Sequence, residues 1–70
     1  MSKSIGFIGG GAMATGIIKG ILSANTLTAE EIYVKELLPE RQVYLKETYG
    51  LQLADSLKKL AEKAKVLVLA

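Results

Sequence analysis

Ile5-Gly6-Phe7-Ile8-Gly9-Gly10-Gly11-Ala12-Met13-Ala14 is the stretch whose reading decides the fold. It reads as a short buried strand, a tight glycine turn and the first turn of a helix. Gly9, Gly11 and Ala14 fall on the spacing G-x-G-x-x-G/A, the fingerprint of a dinucleotide-binding turn. Gly9 lets the chain turn sharply out of the strand. Gly11 carries no side chain, so a pyrophosphate can approach the backbone. Ala14 is small enough for the helix to pack close to the strand. The helix then points its free N–H groups and the positive end of its dipole at the phosphates. Ile8, Gly9, Gly10, Gly11, Ala12, Met13 and Ala14 are therefore the first candidate cofactor contacts.

The fingerprint alone is a weak signal, and its context strengthens it. An apolar run, Ile5 to Ile8, precedes it. Met13, Ile17, Ile18, Ile21 and Leu22 recur at helical spacing from Ala12 to Leu22. A second apolar strand, Ile32-Tyr33-Val34-Lys35-Glu36, follows. The competing phosphate motif fails: a P-loop needs Lys and Ser or Thr after its second glycine, but Gly16 is followed by Ile17 and Ile18. Gly16 and Gly20 each cost the helix roughly 1 kcal/mol relative to Ala. Close approach of the helix to the sheet or to a neighbouring helix is the expected compensation. Gly6, inside the first strand, reads as a close-packing position.

The end of the second strand carries the next candidates. An acidic residue about 20 residues past the fingerprint takes the ribose hydroxyl of NAD, whereas a nearby Arg suits the extra phosphate of NADP. Glu36 stands where the acid is expected. Lys35 and Arg41 would attract a 2′-phosphate that Glu36 would repel, and the two signals conflict. Arg41 also reads as part of a solvated helix face.

Further along, Thr28-Ala29-Glu30-Glu31 matches a capping box, consistent with one short helical turn or a plain loop. Pro39 suits the first turn of a second helix, with Val43, Leu45 and Tyr49 on its apolar face and Gly50 as its left-handed cap. Leu51 to Ala54 alternates as a short edge strand. Asp55 or Ser56 caps a third helix, with Leu57, Leu60, Ala61 and Ala64 on its buried face. Val66-Leu67-Val68-Leu69 reads as a strand of the kind found at central parallel positions.

Composition narrows the function classes. The 70 residues are half hydrophobic, with a net charge of +2. That argues for a folded core and is too weakly basic to imply nucleic acid. Lys58, Lys59, Lys63 and Lys65 read as a solvated face. The chain contains no Cys and no His, which removes disulfides, thiol nucleophiles, Ser-His pairs and metal sites built on those ligands. No signal peptide or membrane-length apolar run is present, so the default expectation is a soluble, cytoplasmic protein. No metal is expected.

The order β-α-β-α-β-α-β gives an α/β fold: a Rossmann-type parallel sheet with helices on both faces and strand order 3-2-1-4. Ligands then bind at the carboxyl ends of the strands. This places Gly9 to Met13, Glu36 and Ala70 along one edge. A complete dinucleotide-binding domain has two such halves. The chain is accordingly read as residues 1–70 of the N-terminal part of a NAD(P)-binding domain belonging to a longer protein.

The chain resembles the N-terminus of the pyrroline-5-carboxylate reductase family. The resemblance lies in Ile5 to Ala14, Ile17-Ile18-Lys19-Gly20, Pro39-Glu40-Arg41, Tyr49-Gly50 and Val66 to Ala70. It implies that NADPH or NADH delivers a hydride to the small-molecule substrate pyrroline-5-carboxylate, giving proline. It also implies that Ile8 to Met13 wrap the pyrophosphate, that Glu36 stands where the family contacts the adenosine ribose, and that Ala70 begins a segment passing the cofactor. The family's substrate pocket and homo-oligomer contacts lie in a helical C-terminal domain that these residues do not include, so no catalytic residue is named. Two positions depart from the family pattern: Ala12 stands where many relatives carry Asn, and Glu36 where they often carry a small hydroxyl residue or Asn. The second departure leaves the choice between NADPH and NADH open. Alternatives are a hydroxyisobutyrate dehydrogenase-like oxidoreductase, a non-catalytic dinucleotide sensor, and a stand-alone interaction domain without a cofactor.

Overall fold

The computed structural model describes residues 4–9 and 11–69. Its elements follow one another as β1 (Ile5–Ile8), α1 (Ala12–Ser23), a single 3-10 turn (Ala29–Glu31), β2 (Ile32–Lys35), α2 (Pro39–Tyr49), β3 (Gln52–Leu53), α3 (Leu57–Lys63) and β4 (Val66–Leu69). The four strands form one parallel sheet in the order β3-β2-β1-β4. This is the expected doubly wound arrangement. α1 and α2 are the crossovers of the parallel pairs β1–β2 and β2–β3, and α3 carries the chain from β3 across the sheet to β4 beside β1.

Register fixes which residues share a face. Ile5 pairs with Ile32 and Val66, Gly6 with Tyr33 and Leu67, and Phe7 with Val34 and Val68. Because side chains alternate along a strand, Phe7, Ile32 and Val34 point to one side. There they form a core with Ala14 and Ile18 of α1, Leu45 of α2, and Leu51. Gly6 points to the other side, against Leu60 and Ala64 of α3. A Cβ at Gly6 would lie 2.8 Å from Ala64 Cβ and 2.9 Å from Leu60 Cδ1. The absent side chain is what lets α3 sit so close, as the sequence suggested.

Local signals end the elements where they were read. Thr28 and Glu31 form a reciprocal capping box. Pro39 opens α2, Gly50 closes it with φ +73°, and the Ser56 hydroxyl caps α3 by accepting from Lys59 N–H. Ser4, nearly buried, donates to Lys63 O at 2.8 Å and accepts from Lys65 N–H at 3.1 Å, which ties the entry of β1 to the exit of α3.

Two expectations are corrected. Gly16 and Gly20 are not close-approach points: a Cβ on either would meet nothing within 4 Å. They lie on the outer face of α1 beside exposed Met13 and Ile17. The inward face of α1 is narrow, with only Ala14 and Ile18 buried. On α3, Leu57 and Ala61 are exposed and Leu60 alone is buried. A seven-residue helix crossing the sheet touches it over about one turn, so one residue takes the inward position. β4 pairs with β1 at one end of the described sheet, as the order 3-2-1-4 expects, with Val66, Leu67 and Leu69 exposed.

Candidate functional site

The carboxyl ends of β1 and β2 lie side by side, and the site is built from what leaves them. Gly9 turns the chain out of β1 with φ +98°, in the region that favours glycine. Its N–H donates to Lys35 O at 2.9 Å, which binds the turn to the end of β2. The chain then enters α1. Gly11 is the N-cap, extended and without a side-chain hydrogen bond, and no acidic residue stands in the first turn. The first N–H groups of α1 and its positive dipole end therefore face outward without a local carboxylate.

The space at that end is open. A Cβ placed on Gly11 meets no heavy atom within 4 Å. Ala12 and Met13 are also exposed, Met13 at 69%, whereas Ala14 is fully buried. Gly11 thus leaves a face of backbone accessible, and Ala14 seats the helix on the sheet. The donor set suits a pyrophosphate: backbone amides, a dipole and no competing charge.

Beside this turn is a cavity of about 440 Å³, lined by Ile8, Gly9, Lys35, Glu36, Leu37, Leu38 and Leu57. Four of the sequence-designated residues meet here, Ile8 and Gly9 from β1 and Lys35 and Glu36 from β2. Gly10 and Ala70 lie outside the described residues. Leu37, Leu38 and Leu57 were not singled out as site residues. The available signal was Leu37-Leu38 placed ahead of Pro39, an apolar pair in a loop that has no core to enter. Leu37 is 79% exposed. These leucines give the cavity an apolar wall fit for the face of a flat heterocycle.

Glu36 anchors its own loop. One carboxylate oxygen accepts from Leu38 N–H at 3.1 Å, and its backbone carbonyl accepts from the Gln42 side-chain amide at 2.6 Å. Arg41 does not belong to a solvated helix face, contrary to the sequence expectation. It is half-buried, and its guanidinium donates to Thr15 Oγ1 on α1 at 3.2 Å. The Thr15 hydroxyl in turn donates to Gly11 O at 2.9 Å. The guanidinium also lies 4.9 Å over the Tyr44 ring, which meets Tyr49 edge-on. The side-chain hydrogen bond with Tyr44, with partial desolvation, raises the Tyr49 phenol above its ordinary pKa, while Arg41 pulls it down. Helical spacing could place Arg41 on α2 but could not show that α1 passes beside it.

No helix among the described residues is long and apolar enough to cross a membrane.

Known proteins share this arrangement. A pyrroline-5-carboxylate reductase of Synechocystis is 37% identical over 70 residues, which is all of this chain and 26% of that protein. Pyrroline-5-carboxylate reductase 2 of Bacillus subtilis is 43% identical over 51 residues, 71% of this chain and 18% of that protein. The solved structure of a pyrroline-5-carboxylate reductase from Coxiella burnetii superposes with a TM-score of 0.86 at 33% identity, covering 100% of this chain and 26% of that one. The chain thus spans about a quarter of the length of the Synechocystis relative. The family described as NADP oxidoreductase, coenzyme F420-dependent, matches residues 4–70, and the chain belongs to it.

Proposed function

We propose that this chain is the cofactor-binding portion of an NAD(P)H-dependent reductase that converts 1-pyrroline-5-carboxylate to proline. The observation that carries the reading is the outlet of β1. There the Gly9 turn, the uncapped start of α1 and the open face of Gly11 adjoin a cavity walled by Lys35 and Glu36. The names of the relatives support the substrate.

In this reading Ile8, Gly9, Gly10, Gly11, Ala12, Met13 and Ala14 hold the pyrophosphate through backbone N–H groups and close packing. Lys35 and Glu36 border the adenosine, with Leu37, Leu38 and Leu57 against its ring, and Ala70 begins the segment that passes the cofactor. Bound NAD(P)H would supply a hydride to the C=N carbon and leave as NAD(P)+, while the ring nitrogen takes a proton from water. This chain's part is to fix where the cofactor lies. The substrate pocket and the homo-oligomer contacts belong to a helical domain beyond these residues, by resemblance to the reductases.

The test follows nicotinamide absorbance in the intact protein after addition of pyrroline-5-carboxylate. Oxidation of NADPH or NADH with stoichiometric proline is the expected result. Cofactor binding with no oxidation would keep the dinucleotide site and replace this substrate with that of another reductase, or the reductase with a dinucleotide sensor.

A further inference from the structure

We infer that Thr15 is a positioning residue of the cofactor site, whose hydroxyl sets the peptide plane that aims the first N–H of α1 at the pyrophosphate; this rests on the dinucleotide reading proposed above. The observation is the direction of a short chain of hydrogen bonds. The Arg41 guanidinium donates to Thr15 Oγ1 at 3.2 Å, and Thr15 Oγ1 lies 2.9 Å from Gly11 O. A guanidinium has no acceptor, so the hydroxyl oxygen accepts from Arg41 and its proton goes to the Gly11 carbonyl. Gly11 O also accepts from Thr15 N–H at 2.9 Å, the first bond of the helix ladder. A threonine hydroxyl commonly bonds the carbonyl four residues back. Here a cation from α2, itself backed by the Tyr44 ring, fixes which way that hydroxyl points.

The peptide unit is planar and trans, so the carbonyl of Gly11 and the N–H of Ala12 point in opposite directions. Two donors on Gly11 O hold that carbonyl along α1, and the Ala12 N–H is thereby held outward from the helix start. The restraint matters at this position. Gly11 is the N-cap, makes no side-chain hydrogen bond, and as a glycine turns more freely about its backbone than any other residue. At many helix starts a Ser, Thr, Asp or Asn at the N-cap orders the first turn by accepting from the second or third N–H, which occupies a donor. In this chain the ordering group stands four residues inside the helix and bonds a carbonyl, so it uses none of the leading N–H groups. The turn gains a fixed amide and loses no donor that a pyrophosphate would take.

The experiment measures affinity, in the intact protein, by nicotinamide fluorescence for NADH and NADPH and by displacement for ADP and adenosine. ADP carries the pyrophosphate and adenosine does not. T15V puts a methyl in place of the hydroxyl. In it the affinities for NADH and ADP should fall about threefold to tenfold, the effect of one ordinary hydrogen bond, while that for adenosine stays within about twofold. T15S keeps the hydroxyl and should hold all three within about twofold of wild type. Equal losses for ADP and adenosine in T15V would mean that Thr15 serves only to hold α2 against α1, and that result overturns the inference. Unchanged ADP affinity in T15V, or T15S as weak as T15V, overturns it as well. Each of these results leaves wild-type cofactor binding, and with it the dinucleotide reading, in place. If the wild-type protein binds neither dinucleotide nor ADP, that reading falls and the inference falls with it.

Discussion

Gly6 and Gly11 stand five positions apart in the opening stretch, and the structure uses them in opposite ways. A side chain on Gly6 would strike Ala64, Leu60 and Leu67 at 2.8 to 3.0 Å. A side chain on Gly11 would strike nothing within 4 Å. The first glycine is needed because the protein fills the space. The second is needed, in the proposed function, because the protein leaves the space to a ligand. Sequence alone shows two glycines around one strand. The neighbours show a packed position at Gly6, as the sequence reading expects, and open space at Gly11, as the proposed function requires, and the two should therefore fail by different measurements.

The largest effect is expected at Gly6. A branched side chain there must push α3 away from the sheet at a point where Ala64 contributes a Cβ that cannot move aside. Overpacking of this kind costs roughly 1–3 kcal/mol and occasionally more, and G6V should lie at or above the top of that range. Denaturant unfolding of the intact protein measures it, as a lowered midpoint at unchanged slope. A midpoint within experimental error of wild type would show that α3 does not press on β1.

G11V should do the reverse. Gly11 has φ −76° and ψ −166°, a conformation any residue adopts, and its Cβ direction is empty. Stability should stay within about 0.5 kcal/mol, as for other exposed positions. Dinucleotide affinity should drop by at least about tenfold, since the isopropyl group would occupy the approach to the α1 amides. Unchanged affinity would remove Gly11 from the cofactor site and erase the contrast with Gly6.

The contrast also marks what could be read in the residues and what could not. Caps and turns were legible because their causes are local. Thr28 with Glu31, Pro39, Gly50 and Ser56 each act within a few residues of themselves. The strand order followed from the alternation of elements and the fixed hand of crossovers. Burial on the helices was not legible. Ile17 and Ile18 are equally apolar, yet one is 39% exposed and the other fully buried, because the sheet offers α1 a narrow seat. Leu57 carried the same signal as Leu60 and ended at the cavity mouth. Arg41 was hidden for a related reason: its partner Thr15 lies 26 positions away, on a helix whose neighbourhood no periodicity reports.

Gly16 completes the comparison as a glycine that neither packs nor binds. It sits inside α1 with no atom within 4 Å of its Cβ direction, so it has the helix penalty of glycine and none of the compensation expected from close packing. If the outer face of α1 is as open in the intact protein as it is here, G16A should stabilise by roughly 0.5–1 kcal/mol, the propensity difference between the two residues. The gain should appear in thermal or denaturant unfolding and leave cofactor affinity unaltered. A loss of stability instead would mean that the intact protein lays another segment against Met13, Gly16, Ile17 and Gly20. Gly16 would then belong with Gly6, as a residue kept small by what packs on it, and the outer face of α1 would be an interior surface.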